Sequence, residues 1–133
     1  MICKRFHEIF HDFFFFHLRL ANIQPGALVC DPMCGGGSIP IEGALAFKQG
    51  FYFAGDFHEK AVERTKDNLK AFSNRIPSDG IQWDATNIPL RDNCLDVLIS
   101  DLVSKIERPL LDLLQKNEGK RAYFVLVKAT QCH

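Results

Sequence analysis

The sequence predicts an α/β fold built on a mostly parallel sheet, and two observations carry this prediction. From Asn22 onward, short apolar runs alternate with segments of helical pattern. Turn-forming residues, chiefly glycine, proline, asparagine and aspartate, stand between successive segments. Alternation of this kind is typical of parallel strands that are joined by helical crossovers.

The predicted elements follow one another without a long linker or an internal repeat. They are strand 27–31, helix 38–48, strand 51–56, helix 59–72, strand 81–84, strand 95–101, helix 105–116 and strand 123–127. In the helix over 59–72, apolar or small side chains recur every three or four residues, which predicts one face packed on the sheet. These side chains are Val62, Thr65, Leu69 and Phe72. Turns are predicted at 24–26, 49–50, 77–80, 91–93 and 117–119.

Length and composition suit one soluble domain with a single core. The chain has 133 residues, 47% of them hydrophobic, and its 16 basic and 16 acidic residues balance; disordered and fibrous classes are therefore excluded. A net charge of zero gives no global attraction to nucleic acid. Five cysteines, an odd number, predict free thiols in a reducing compartment, so we expect a cytoplasmic protein. No apolar run reaches the ~20 residues that a membrane span needs.

The most informative segment lies between the first strand and the first helix. It reads Asp31-Pro32-Met33-Cys34-Gly35-Gly36-Gly37-Ser38. Three successive glycines allow positive φ and leave backbone amides uncovered by Cβ atoms. The helix start that follows has unpaired N–H groups and partial positive charge, which favours a carboxylate or phosphate. The turn predicts a polar small-molecule ligand, with a glycine turn that binds nothing as the alternative.

Two common nucleotide motifs fit this turn poorly. A Walker loop needs a lysine after its last glycine, and Ser38 follows Gly37 instead. A dinucleotide fingerprint needs a third glycine where Pro40 stands, so an NAD-dependent enzyme is a minor alternative. An acid at a strand end, four residues before a Gly-x-Gly, resembles motif I of the Rossmann-like S-adenosylmethionine (SAM) methyltransferases. That resemblance implies a three-layer αβα sandwich and places Asp31 at the methionine ammonium of SAM.

Four of the predicted strands end in aspartate. These residues are Asp31, Asp56, Asp84 and Asp101. In an open parallel sheet the carboxyl ends of the strands border the ligand crevice, so we expect the four carboxylates to face one site. Asp56 lies ~25 residues after Asp31, close to the spacing at which an acid accepts hydrogen bonds from ribose hydroxyls.

The other two aspartates are assigned to the adenine and to the methyl acceptor. Asp84 is placed to accept from the adenine amine, with Trp83 or Ala85 nearby, and capping of the next turn is an equal alternative. Asp101 stands where the methyl acceptor would meet the cofactor. A carboxylate there could orient an amino nucleophile or accept its proton.

A closer resemblance extends over roughly residues 17–101. The segments that carry it are 18–26 (LRLANIQPG), 31–37 (DPMCGGG), 39–44 (IPIEGA) and 82–84 (QWD). They resemble the THUMP-associated tRNA guanosine-N2 methyltransferases. The resemblance implies transfer of the SAM methyl group to the exocyclic amine of a guanine in tRNA. It also implies a small zinc-binding activator subunit, the partner of eukaryotic members. We expect neither a membrane nor DNA as a partner.

The resemblance also implies site residues. The cofactor-binding set is Asp31, Pro32, Cys34, Gly35, Gly36, Gly37, Asp56, Phe57, Asp84 and Ala85, and the catalytic candidate is Asp101. The family's acceptor motif reads Asp-x-Pro-Phe/Tyr-Gly, whereas this chain reads Asp101-Leu102-Val103-Ser104-Lys105. Loss of the aromatic ring removes stacking worth about 1–3 kcal/mol per base, which predicts impaired methyl transfer. A non-catalytic module that binds SAM or a protein partner is therefore the alternative.

Two parts of the chain are predicted. Residues 1–17 form a divergent N-terminal helical segment, and residues 18–133 form a truncated methyltransferase domain that lacks the family's final β hairpin and its THUMP domain. This pattern suggests a truncated or alternative product of a longer enzyme. We predict no metal site, because Cys3, His7 and His11 share a helix face without a clear fourth ligand. Cys34 is not paired with a histidine by any recognisable motif, so we expect it to pack rather than act as a nucleophile.

Overall fold

The computed structural model describes residues 15–16, 18–72, 78–100, 112 and 115–116. Within this part of the chain, four strands and two helices alternate in the predicted manner. They are β1 (Leu28–Asp31), α1 (Ser38–Ala46), β2 (Phe51–Asp56), α2 (Glu59–Ala71), β3 (Ser78–Gln82) and β4 (Val97–Leu98). None of the described helices is long and apolar enough to cross a membrane.

The strands form one parallel sheet with the order β3-β2-β1-β4. Leu28 pairs with Phe51 between β1 and β2, and Val29 pairs with Val97 between β1 and β4. The chain moves outward from β1 to β2 and β3, then returns to the other side of β1 to form β4. The strand order therefore reverses beside β1, and in open α/β sheets this switch point is where ligands bind.

Two hydrophobic clusters cover opposite faces of the sheet. Val29 and Tyr52 belong to one cluster, while their neighbours Cys30 and Phe53 belong to the other. Successive strand residues point to opposite faces, so this division follows directly from the strand period. Both faces of the sheet are buried, which accounts for strand sequences that are apolar without alternation.

Tyr52 fixes α1 on the first of these faces. Its side chain is fully buried, and a Cβ on Gly43 of α1 would lie 2.5 Å from the Tyr52 ring. The phenol donates a hydrogen bond of 2.8 Å to the carbonyl of Phe47, directly after α1. Burial raises the pKa of Tyr52, so the phenol stays protonated and keeps this bond. The packing holds α1 close to β2 and thereby aims its N-terminus at the end of β1.

The element boundaries differ from the predicted ones most clearly at β3. The prediction placed a turn at 77–80 and a strand at 81–84, whereas the strand runs from Ser78 to Gln82. All five of its residues pair with β2, from Tyr52↔Ser78 to Asp56↔Gln82. Pairing with the open edge of β2 satisfies the backbone groups there, and this gain outweighs the turn propensity of Ser-Asp-Gly.

The remaining elements agree with prediction to within a few residues where the structure describes them. α2 ends one residue before the predicted boundary and α1 ends two residues before it. β4 occupies only Val97–Leu98 of the predicted 95–101. The predicted strand at 123–127 lies outside the described residues, as do most of the helix at 105–116 and most of the N-terminal segment 1–17. The extent of the two predicted parts of the chain stays a prediction.

Candidate functional site

The glycine turn, residues 32–37, joins β1 to α1 at the switch point of the sheet. Asp31, 3% exposed, ends β1, and its Oδ1 accepts the Met33 N–H at 3.2 Å. The Cys34 N–H donates to the Gly55 carbonyl of β2 at 2.8 Å, and the Gly37 N–H donates to the Cys34 carbonyl at 2.9 Å. The turn is thus folded on itself and tied to the neighbouring strand.

Two of the three glycines have a conformation that favours glycine. Gly35 has φ +55° and Gly37 has φ +81°, both in the left-handed region. A Cβ on Gly37 would also lie 2.7 Å from Cγ2 of Thr65. Gly37 is the N-cap of α1 and supplies no side-chain cap, so the helix start has amide donors to offer an anion.

Asp56 is buried at the end of β2 and connects this strand to the glycine turn. Its Oδ2 accepts the Gly35 N–H at 2.9 Å, and its Oδ1 accepts the His58 N–H at 2.9 Å. A carboxylate has about four lone-pair sites, so two remain for ribose hydroxyls. The structure brings Asp56 and the turn together, as expected, and gives Asp56 a second function in fixing the turn.

This arrangement narrows which glycine amides a ligand can use. The sequence suggested bare amides throughout the turn, yet the Gly35 N–H is bonded to Asp56 and the Gly37 N–H to the Cys34 carbonyl. Within the described residues, Gly36 is the glycine whose N–H remains available. A Cβ on Gly35 would meet no atom within 4 Å, so the turn is open on that side.

Phe57 follows Asp56 and presents an aromatic surface at the same edge of the sheet. Its side chain is 65% exposed, and its ring meets the His58 ring edge-on at 5.8 Å. The Gln82 side-chain amide donates to the Phe57 carbonyl at 3.0 Å, which fixes the backbone that carries the ring. An exposed ring on a fixed backbone is suited to stacking against a planar base.

Asp84 lies two residues after β3, at the same edge, and forms a local turn. Its Oδ1 accepts both the Thr86 N–H at 2.8 Å and the Thr86 hydroxyl at 2.6 Å. These two bonds lower the pKa of Asp84 and keep it ionised. The structure therefore shows the capping function that the sequence left open, and binding of an adenine amine stays a prediction. Ala85, beside it, is half-buried.

Trp83 supports the turn from below and does not present its ring to a ligand. It is 5% exposed, and its indole N–H donates to the Pro32 carbonyl at 3.0 Å. The ring occupies the space beside Gly55, where a Cβ would overlap the Trp83 ring. Trp83 thus has a supporting role, because its ring fills the core under β2, and its proximity to the adenine stays a prediction.

Two residues of α2 that the sequence did not mark as site residues also contact the turn. The Thr65 hydroxyl donates to the Gly35 carbonyl at 3.0 Å, and the Asn68 side-chain amide donates to the Gly36 carbonyl at 3.0 Å. Thr65 was assigned only to the buried face of its helix. Thr65 is fully buried, and an apolar side chain would fill the same space. A hydroxyl on the face of α2 that packs on the sheet is therefore the signal that could have identified Thr65 as a site residue.

Cys34 has the properties of a packing residue. Its sulfur lies 3.5 Å from the Thr65 hydroxyl oxygen and 3.7 Å from the Gly35 carbonyl. Burial, opposed in part by the Thr65 hydrogen bond, raises the pKa of Cys34 to about 12, so the thiol is neutral at pH 7. Within the part of the chain that is described, no group of three potential metal ligands is present. Asp101, the catalytic candidate, lies outside the described residues.

The parallel sheet with its switch point and its glycine turn defines the class as a Rossmann-like methyltransferase fold. A SAM-dependent methyltransferase from Aquifex aeolicus has this fold, with a TM-score of 0.66 and 22% identity over 80% of this chain and 58% of that chain. Residues 17–102 match the family model described as UPF0020, RMKL-like, methyltransferase domain. The chain belongs to this family.

Curated relatives confirm the resemblance that the sequence predicted. The tRNA (guanine(6)-N(2))-methyltransferase THUMP3 of Bos taurus is 38% identical over 96 residues, which cover 64% of this chain and 19% of that protein. The U6 snRNA (guanine-N(2))-methyltransferase THUMPD2 of Mus musculus is 34% identical over 103 residues, which cover 74% of this chain and 20% of that protein. This chain spans about a fifth of the length of these relatives.

Proposed function

We propose that this chain is a SAM-binding methyltransferase domain whose acceptor is the exocyclic N2 amine of a guanosine in RNA, with tRNA as the first candidate. The observation that carries the proposal is the glycine turn tied to Asp56. The turn lies at the switch point, and a Cβ on Gly35 would meet no atom within 4 Å. Asp56 ends β2, and the exposed ring of Phe57 follows it. The curated relatives, which are named for guanine-N2 transfer to RNA, support the choice of acceptor.

The residues at this edge of the sheet match the chemical groups of SAM one by one. The carboxylate suits the amide donors of Gly36 and of the first turn of α1. Asp31 suits the ammonium, and Asp56 suits the ribose hydroxyls through its remaining lone pairs. Phe57 suits the adenine face. Bound SAM supplies an electrophilic methyl group on its sulfonium.

Asp84 and Ala85 complete the proposed cofactor set at the adenine edge. Asp84 is ionised and therefore can only accept hydrogen bonds, which is what an exocyclic amine requires. Pro32 and Cys34 belong to the set through the backbone of the turn, because the Pro32 carbonyl binds Trp83 and the Cys34 amide and carbonyl close the turn. Pro32 and Cys34 thus shape the site through their backbone, and the other residues of the set make the direct contacts to SAM.

Asp101 is proposed to hold the acceptor amine. The amine nitrogen forms a bond to the methyl carbon, the carbon–sulfur bond breaks, and the amine loses a proton that a carboxylate can accept. Leu102 and Val103 follow in place of the family's x-Pro pair, and no aromatic residue stands within the motif to stack on the base. We therefore expect slow transfer by this chain alone. We also propose a small zinc-binding activator subunit as a partner of this chain and the reducing cytoplasm as its location.

The second candidate is a SAM-binding module that transfers no methyl group. The sequence Val103-Ser104 favours it, because these residues replace the proline and the aromatic platform of the acceptor motif. Both candidates need the same cofactor site, so a binding experiment tests what they share. Methyl transfer from labelled SAM to unmodified tRNA and to U6 snRNA separates them.

The first experiment is calorimetric titration of the purified chain with SAM, together with Phe57→Ala. The ring is exposed, so its removal leaves the fold intact, and lost stacking of about 1–3 kcal/mol predicts an affinity about 5- to 150-fold weaker. Leu20→Ala is the matched control, because Leu20 is 56% exposed and lies outside the site. Equal SAM affinity in wild type and Phe57→Ala would remove Phe57 from the site, and no binding by wild type would refute the proposal.

A further inference from the structure

Helix α2 makes two polar contacts with the glycine turn. Thr65 is fully buried and binds the Gly35 carbonyl, and Asn68 binds the Gly36 carbonyl, each at 3.0 Å. The two residues are three positions apart and therefore lie on the same face of α2. Two successive carbonyls of the turn are held toward this one helix.

Holding a carbonyl also directs the amide of the same peptide unit. The described peptide bonds are trans, so the C=O and the N–H of each unit point in opposite directions. With the Gly35 carbonyl bound to Thr65, the Gly36 N–H is turned away from α2. This N–H is the glycine amide left for a ligand, because the Gly35 and Gly37 amides bind Asp56 and the Cys34 carbonyl.

Because Gly35, Gly36 and Gly37 are all glycines, the orientation of the Gly36 N–H depends on the contacts that α2 makes with the turn. Peptide units between glycines rotate with little steric cost, since no Cβ restricts φ and ψ. The Thr65 methyl group fills the space beside Gly37, and its hydroxyl lies 3.5 Å from the Cys34 sulfur. Thr65 thus contacts Cys34, Gly35 and Gly37, and Asn68 contacts the remaining glycine.

We infer that Thr65 is a positioning residue that presents the Gly36 amide to the carboxylate of the cofactor, and that Asn68 supports it from the next peptide unit. Asn68 binds the Gly36 carbonyl, whose peptide unit carries the Gly37 N–H that is already bonded to Cys34, so Asn68 fixes the neighbour of the free amide. The inference rests on the proposed function. It specifies which part of the ligand depends on α2: the amino-acid end, which meets the turn, and not the nucleoside end, which meets Asp56 and Phe57. A residue that served only to fill the core would affect both ends alike.

The test compares two ligands across matched variants. Thr65→Val keeps the shape and removes the hydroxyl, Thr65→Ser keeps the hydroxyl, and Asn68→Ala removes an exposed amide. The ligands are SAM and 5′-methylthioadenosine, which lacks the carboxylate and the ammonium. Calorimetry gives the dissociation constants, with SAM competition for the weaker ligand, and urea unfolding gives stability separately.

We expect Thr65→Val to weaken SAM binding about 13- to 160-fold, the cost of a lost hydrogen bond to a charged group. Asn68→Ala should weaken SAM binding by less, because Asn68 holds the neighbouring peptide unit. Thr65→Ser should retain most of the affinity, and 5′-methylthioadenosine should bind all four proteins within about twofold of wild type. Equal losses for both ligands, or unchanged SAM affinity in both deletion variants, would overturn the inference. If Thr65→Val does not fold, Asn68→Ala still decides, because its side chain is at the surface. If the wild-type chain binds neither SAM nor 5′-methylthioadenosine, the proposed function is overturned instead.

Discussion

Replacement of Gly37 by alanine should destabilise the chain by about 2–5 kcal/mol, and two contributions make up this figure. The φ of +81° is a left-handed conformation that costs an L-residue with a Cβ about 1–2 kcal/mol. The new Cβ would also lie 2.7 Å from Cγ2 and 2.9 Å from Oγ1 of Thr65, and overpacking of this kind costs about 1–3 kcal/mol. Domains of this size have about 5–15 kcal/mol in total, so the loss is readily measured.

Urea unfolding of three glycine variants separates the two contributions. Gly35→Ala has a positive φ and no close neighbour, so it should lose only the backbone contribution of about 1–2 kcal/mol. Gly36→Ala introduces neither a positive φ nor a steric overlap, since its Cβ would meet Arg64 Cδ at an ordinary 3.5 Å. The stability of this variant should be unchanged or slightly raised. Thr65→Ser in the Gly37→Ala background removes the nearest clashing atom and should recover part of the loss. Equal destabilisation by Gly35→Ala and Gly37→Ala would refute the steric reasoning.

Two further predictions concern Asp56 and Cys34. Asp56→Asn replaces one acceptor oxygen with an NH₂ group that faces a backbone donor. The free energy of unfolding in urea should therefore fall by about 1–3 kcal/mol, and SAM affinity measured by calorimetry should fall with it. A loss of affinity at unchanged stability would contradict the structural role of Asp56. Because the pKa of Cys34 is raised from 9.0 to about 12, its contribution to stability is intact below pH ~9 and is lost as the pH rises toward 12. Alkylation by iodoacetamide at pH 8, followed by peptide mapping, should therefore label Cys34 far more slowly in the native protein than in urea, and equal rates would contradict its burial.

The order and type of the central elements could be predicted from the sequence because local signals agreed there. The glycine turn, the alternation of apolar runs and the period of the helix over 59–72 all specified the same fold. β3 could not be placed from its own residues, because Ser78, Asp79 and Gly80 favour a turn and form a strand only against β2. Strand pairing is a tertiary effect, and propensity within a window does not contain it.

Within the candidate site, the positions of the chemical groups were predictable and their mutual bonds were not. Aspartates at strand ends follow from the topology of a parallel sheet, so Asp31 and Asp56 could be placed at one edge in advance. The bond from Asp56 to Gly35, the support of Pro32 by Trp83 and the contacts of Thr65 each join residues 21 or more positions apart. Such contacts depend on how strands and helices pack, and the local sequence pattern around Trp83 and Thr65 does not contain that information.

The glycine at position 36 needs a different explanation from its neighbours. Gly35 and Gly37 have positive φ, and Gly37 is also crowded by Thr65, so the fold itself favours glycine at both positions. Gly36 has neither constraint, and the described part of the chain would accept an alanine there. What remains is backbone freedom: a Cβ at position 36 would point toward Arg64 of α2, and its absence lets the flanking peptide units rotate, so their orientation depends on the contacts from α2.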